Sequence, residues 1–224
     1  MKHKYHIISL IIFLIALNSP YLLYSQTPLY TILISTSLGD MKAFLYAETP
    51  IHSENFIDLV KKGFYNGLSF HRVINNFMIQ SGDPRTRETN DPDSKNISDV
   101  NYTLPAEFSP ALYHKKAVIA AARMDDSVNP QRASSGSQFY IVHGRTFSDQ
   151  DLDLMVKKQV HIKFSEEQRR IYKSIGGAPH LDYAYTVFGE VISGIEVIDK
   201  IAAVPVDKNN RPLKDIRLNI KIIE

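Results

Sequence analysis

The 224-residue chain contains no cysteine. That excludes disulfide frameworks, thiolate nucleophiles, cysteine-ligated zinc and cysteine-held iron-sulfur clusters. It leaves the compartment open, because either redox environment tolerates a cysteine-free chain. Surplus charge of one sign is also missing: the formal net charge of +2 gives no basic stripe of the kind nucleic-acid binders carry. None of the eight histidines falls in a metal-binding spacing such as H-E-x-x-H. There is no G-x-S-x-G elbow, and Gly136-Ser137-Gln138 leads into a strand pattern rather than a helix, so it makes no ordinary phosphate cradle. Metal, hydrolase and nucleotide chemistry therefore start weak, and no cofactor is expected. What is present, 44% hydrophobic and 22% charged residues, suits one globular domain with an appendage.

The appendage is at the front. Lys2 and Lys4 precede an apolar run of 11 residues from Ile7 to Leu17, which Asn18, Ser19 and Pro20 break. This is the layout of a secretory signal peptide, with Leu23 and Ser25 at the two recognition positions of a cleavage after Ser25. The run is short for a bilayer span, which needs about 20 residues; an uncleaved leader acting as a membrane anchor is the competing reading. Residues 1–25 hold two of the 26 basic residues and none of the 24 acids, so 26–224 has 24 of each and a formal charge of zero. The expectation is an exported protein, periplasmic or secreted, with a single mature domain.

From Tyr30 the pattern becomes short strands punctuated by turns. Tyr30, Ile32 and Ile34 alternate with Thr31, Leu33 and Ser35, and after Ser37-Leu38-Gly39-Asp40 the residues Met41, Ala43 and Leu45 alternate in the same way, which reads as a hairpin. Further strands are expected at Ser69–Ile74, Phe77–Ser81, Ala117–Arg123, Gln138–His143, Thr186–Val191 and Ile216–Ile223. Eight short strands favour a mainly β fold, a closed eight-stranded antiparallel barrel, since closure removes exposed edges. Two helices cap it, about Ile51–Lys62 after Thr49-Pro50 and another after Ser193-Gly194. Residues 84–99 read as a polar surface loop. Residues 148–177 read as an inserted helical hairpin, Asp149–Lys158 and Glu166–Ser174, each opened by a capping signature (Ser148 with Asp151, Ser165 with Gln168) and closed by Gly176-Gly177. Its apolar seam is Leu152, Met155, Val156, Phe164, Ile171 and Ile175.

The stretch Phe70 to Asp83 is the most informative. Alternation puts Phe70, Arg72 and Ile74 on one face and Met78 with Gln80 on one face of the returning strand, so an arginine and a glutamine interrupt apolar faces. Phe77 and Met78 are consecutive and must point opposite ways in a regular strand, so one is exposed unless the strand bends or something covers it. Gln138 shares a face with Tyr140, and Ala120-Ala121-Ala122 offers a strand that another backbone can approach closely.

These stretches, F-H-R-V-I-x-x-F-M-I-Q-S-G-D, then S-S-G-S-Q-F-Y-I and Y-T-V-F-G-E-V, resemble the cyclophilin family of peptidyl-prolyl cis-trans isomerases. The resemblance covers nearly the whole of the chain after the leader. It implies an eight-stranded barrel with two capping helices and a groove on its outer surface for proline-containing peptide segments, working as a monomer without metal or nucleic acid. The catalytic arginine falls on Arg72, with Gln80 beside it. The proline pocket falls on Phe77, Met78, Tyr140 and Leu181; polar contacts fall on Gln80 and Gln138, and the backbone-reading stretch on Ala122 and Arg123. Phe139 supports the strand from within the core. Tyr185 is the tenth expected site residue, a substrate-binding one. Departures carry information: Tyr140 replaces a frequent phenylalanine and adds a hydroxyl at the pocket edge, His180 stands where eukaryotic members place a tryptophan, and Tyr185 where they place a histidine. The missing tryptophan implies weak cyclosporin binding. A non-catalytic proline-peptide-binding chaperone on the same barrel is the alternative.

Overall fold

The computed structural model describes residues 28–87, 100–159 and 162–223; the leader and residues 88–99 of the expected surface loop lie outside the described residues. Period-two burial builds the first hairpin, β1 (Pro28–Thr36) and β2 (Gly39–Tyr46), whose Ile32, Ile34, Met41, Ala43 and Leu45 are all fully buried. The remaining strands are β3 (Leu68–Ser69), β4 (Arg72–Ile74), β5 (Met78–Ser81), β6 (Thr103–Leu104), β7 (Val118–Ala121), β8 (Ser134–Ser135), β9 (Phe139–Val142), β10 (Val187–Ser193) and β11 (Arg217–Ile222). Nine of them form one curled antiparallel sheet, in the order β3-β11-β1-β2-β10-β7-β9-β5-β4, while β6 and β8 pair separately.

The expected count of eight strands in a closed barrel differs from this pattern at Ser69–Ile74. That segment is two ladder strands: β3 pairs with β11 and β4 with β5. Between them the Phe70 N–H donates to the Ile216 carbonyl and the His71 N–H to the Gln80 carbonyl, so the chain changes partner there. β3 and β4 are the terminal strands of the sheet, with no ladder between them. The change of partner also breaks the alternation. Phe70 is buried with the main core, Arg72 is exposed and Val73 is buried, so Phe70 and Arg72 do not share a face.

Alternation is regular in the centre of the sheet. Phe139 and Ile141 of β9, with Ile119 and Ala121 of β7, enter the main core, where α1 (Pro50–Lys61) and α4 (Ile195–Ala202) supply Phe56, Ile57, Val197, Ile198 and Ile201. Tyr140 and Val142, with Val118 and Ala120, face a second cluster that includes Met78, Leu181 and Val187. Phe56 of α1 packs edge-on against Phe139 at 5.3 Å between ring centroids, so the first helix backs the strand that carries Tyr140. The helical hairpin is α2 (Asp149–Lys158) and α3 (Glu166–Ser174), both opened by complete capping boxes. Its seam holds Leu152, Tyr172 and Phe147 with Met155 and Phe164 against them. Ile175 is 51% exposed rather than in the seam, because it is the C-cap, where the chain turns into Gly176 at φ +87°.

The start of α1 is secured from a distance. Thr49, the residue before it, makes no side-chain cap; instead Glu107 accepts the N–H groups of Ile51 and His52 at 3.1 and 2.9 Å, and its Oε2 lies 2.6 Å from His52 Nδ1. Nδ1 is therefore the donor, and the buried Nε2 has no hydrogen-bond partner among the described residues. Burial lowers the His52 pKa from its ordinary value of 6.5 against the opposing pull of Glu107, because a proton added at Nε2 has no acceptor. With the folded pKa below the unfolded one, the unfolded chain takes up the proton first as pH falls below 6.5. The melting temperature should therefore hold between pH 8 and pH 7 and fall from pH 6.5 downward, with a shallower fall in His52→Gln; a His52→Gln profile parallel to wild type would contradict this.

Candidate active site

The β4–β5 hairpin sets the site. Arg72 lies opposite Gln80 in its ladder, and Gln80 lies opposite Tyr140 in the next. Arg72 Nη1 reaches Gln80 Oε1 at 3.4 Å, and Gln80 Nε2 donates to Gln138 Oε1 at 3.1 Å. Three predicted site residues thus form one polar row, which limits the rotamers open to the Arg72 guanidinium.

Beside that row is a cleft of about 230 Å³ lined by Arg72, Phe77, Met78, Gln80, Ala122, Arg123, Tyr140, Leu181 and Tyr185. Gln138 lines an adjoining cleft of about 510 Å³ that shares Gln80, Ala122 and Arg123. All ten residues singled out in the sequence are thereby brought together. Phe77 and Met78 reach the same cleft because Phe77 precedes β5, in a turn where Asn76 has φ 60°. Its carbonyl accepts the N–H groups of both His143 and Gly144 at 3.0 Å, which pins the turn. Leu181 comes from a 3-10 turn, Pro179–Leu181, and the adjacent His180 ring sits 5.2 Å from that of Phe77.

Three residues occupy the site differently from the sequence expectation. The Ala122 N–H is committed to the Gln138 carbonyl at 2.9 Å and its carbonyl already accepts from Ser135 at 2.8 Å. Ala122 is thus a small wall residue with at most a carbonyl lone pair to offer a substrate. The Arg123 guanidinium is turned inward, onto the carbonyls of Ala184 and Met124 and onto Asp126 at 2.6 Å. It lies 4.4 Å over the Tyr185 ring, bracing that ring edge-on against Tyr140. Finally, the Tyr140 hydroxyl is not at the pocket edge. It lies 2.9 Å from Nε2 of the fully buried His114, leaving the ring to line the cleft. Burial pushes this hydroxyl well above its ordinary pKa of 10, so it stays a protonated donor.

Sequence reasoning missed His114 and its partner Asp182. The available signal was Tyr140 itself, because a tyrosine in a buried strand needs a polar partner for its hydroxyl. Among the described residues no group of three or more histidine, aspartate or glutamate side chains is placed to hold a metal ion.

A cleft that sets the apolar side chains of Phe77, Met78 and Leu181 and the Tyr140 ring beside the Arg72 guanidinium and an amide row defines a β-sheet protein with a mixed polar and apolar surface site. Comparison with known proteins narrows this. The profile of the family described as "Cyclophilin type peptidyl-prolyl cis-trans isomerase/CLD" matches residues 31–222. The chain is 32% identical over 193 residues to the human peptidyl-prolyl cis-trans isomerase-like 3, covering 84% of this chain and 92% of the human one. A Staphylococcus saprophyticus protein with the same activity in its name is 32% identical over 195 residues, 86% of this chain and 91% of that one. Among solved structures, a Cryptosporidium parvum cyclophilin type isomerase in the presence of the dipeptide Ala-Pro shares the fold, with a TM-score of 0.61 at 23% identity, covering 87% of this chain and 99% of that one. The chain belongs to the cyclophilin-type peptidyl-prolyl cis-trans isomerase family.

Proposed function

We propose that the protein accelerates rotation about Xaa-Pro bonds of protein clients outside the cytoplasm, with Arg72 as the catalytic group and the Phe77, Met78, Tyr140 and Leu181 cleft as the proline pocket. The barrier to rotation, about 18–20 kcal/mol, comes from delocalisation of the nitrogen lone pair into the carbonyl. An enzyme that binds the twisted amide better than either planar form lowers it without nucleophile, base or metal. When the amide twists, the prolyl nitrogen regains its lone pair and becomes an acceptor. A permanently charged, planar guanidinium is suited to donate to it, while the cleft holds the ring and the preceding carbonyl turns. The observation that carries this reading is the Arg72–Gln80–Gln138 row along the edge of the cleft that Phe77, Met78, Tyr140 and Leu181 line. The Cryptosporidium relative was solved in the presence of Ala-Pro, which supports a proline-containing peptide as occupant. A protease-coupled assay on a short Ala-Pro peptide should show acceleration over the uncatalysed tens to hundreds of seconds; peptide binding without acceleration would favour the chaperone alternative.

The finer architecture follows the same reading. The segment from β3 to β4 runs from one edge of the sheet to the other, and it would close an eight-strand barrel through the chain itself; the site then faces outward from a monomer. Lys2, Lys4 and the apolar run of residues 7–17 support export. Mass spectrometry of protein recovered from its producing cells should give an N-terminus at Gln26; retention of residues 1–25 would point to an anchored leader instead. His180 against Phe77 gives no indole to receive a bulky macrocycle, so cyclosporin binds weakly, and a nanomolar Kd by calorimetry would contradict that.

A further inference from the structure

The polar chain behind Tyr140 does not stop at His114. Asp182 Oδ1 accepts the His114 backbone N–H at 2.8 Å and lies 3.0 Å from its Nδ1. The other oxygen, Oδ2, accepts the Tyr172 hydroxyl at 2.6 Å. A carboxylate only accepts, so Nδ1 carries the imidazole proton; Nε2 is then an acceptor and the Tyr140 hydroxyl donates to it. Every polar hydrogen of the four side chains is used. Tyr140, His114, Asp182 and Tyr172 are all at most 4% exposed, and a buried, fully satisfied network is a rigid one.

The two ends of this network belong to different parts of the fold. Tyr140 is on β9 and lines the cleft, whereas Tyr172 is on α3 and is the centre of the hairpin seam, in edge-on contact with Tyr113, Phe147 and Phe164. The base of the hairpin is fastened to the same place: the Ala178 N–H donates to the His114 carbonyl, and Gly177 bridges Lys115 and Arg145. Asp182 directly follows Leu181 of the cleft. A Tyr140 side chain free to swing about its Cα–Cβ bond would carry its hydroxyl toward the cleft. Held inward, it offers only its ring.

We propose that His114, Asp182 and Tyr172 are positioning residues for the cleft: they lock the Tyr140 hydroxyl inward so that its ring meets the bound proline, and through Tyr172 they make the cleft's shape depend on the seating of the α2–α3 hairpin. This rests on the reading of the cleft as the proline pocket. It gives the hairpin a role in substrate binding without any contact to substrate.

A double-mutant cycle tests it. Tyr172→Phe keeps the ring in the seam and removes only the hydroxyl, leaving Asp182 Oδ2 without its donor; Tyr140→Phe removes the group that needs the lock. For an Ala-Pro peptide, Tyr172→Phe should raise KM roughly threefold to tenfold with kcat changed far less, the size expected of coupled neighbours. Tyr140→Phe sets its own baseline, and adding Tyr172→Phe to it should then change KM by less than about twofold from that baseline. Equal effects of Tyr172→Phe in both backgrounds, or no change in KM, would overturn the proposal. If Tyr172→Phe does not fold by near-ultraviolet circular dichroism, Asp182→Asn carries the same prediction. The peptide Kd by calorimetry, measured on the same four proteins, separates the two readings. A coupled Kd without acceleration in wild type retains the positioning role and removes the isomerase assignment, while an uncoupled Kd with acceleration does the reverse.

Discussion

Arg72→Ala should lower kcat/KM for an Ala-Pro peptide by about 10²- to 10³-fold, the usual loss for one preorganised charge-assisted donor, with the melting temperature nearly unchanged. The separation of the two effects follows from placement. Arg72 is exposed on a terminal strand, and its hydrogen bond to the Gln80 side chain is long at 3.4 Å. Its guanidinium therefore contributes little to the fold, and losing it leaves the cleft's apolar walls in place. Arg72→Lys should recover only a small part of the rate, since an ammonium is a point charge without the planar fork. A near wild-type rate for Arg72→Ala would remove Arg72 from the mechanism. A large drop in melting temperature alongside the rate would instead make it a structural residue.

Gly82→Ala should destabilise the protein by about 3 kcal/mol or more, summing a left-handed backbone cost with overpacking against a rigid neighbour. Gly82 has φ +90°, and an added Cβ would lie 2.2 Å from the Ser137 carbonyl oxygen and 2.8 Å from Gln138 Cα. Both are backbone atoms, so the obstruction cannot be relieved by a side-chain rotation. The Ser137 hydroxyl also donates to the Gly82 carbonyl at 2.9 Å, which ties the two segments together. Any relief must push the chain that carries Gln138 away from Gln80, so activity should fall with stability. Gly67→Ala is the internal comparison: its φ is +75°, yet among the described residues nothing lies within 4 Å of the added Cβ, and it should cost only the backbone part, about 1 kcal/mol. Similar urea midpoints for the two variants would mean that the close approach at Ser137 carries no energy.

The reach of the sequence was set by the range of each signal. Local patterns were readable: Ser148 with Asp151 and Ser165 with Gln168 each declare a helix start, and the structure has both capping boxes with the expected helix bounds. Strands with four or more alternating residues were readable as well. β6 and β8, two residues each, are too short for any periodicity. The break at Phe70-His71 depends on two different partner strands, β11 and β5, far apart in the chain. The cleft residues were recognisable as a motif, but not the direction of the Tyr140 hydroxyl. That direction is fixed by His114 and Asp182, which lie 68 positions apart and look like ordinary polar residues where they stand.

Turnover of proline peptides by this cleft, as opposed to their being merely held there, can be read directly. Exchange spectroscopy by NMR on an Ala-Pro peptide, with catalytic amounts of protein, reads cis-trans interconversion and binding in the same sample. Exchange cross-peaks between the cis and trans resonances are expected with the wild-type protein, and their loss with Arg72→Ala while the peptide still binds. Resonance broadening from binding, with no cis-trans exchange in the wild type, would contradict turnover.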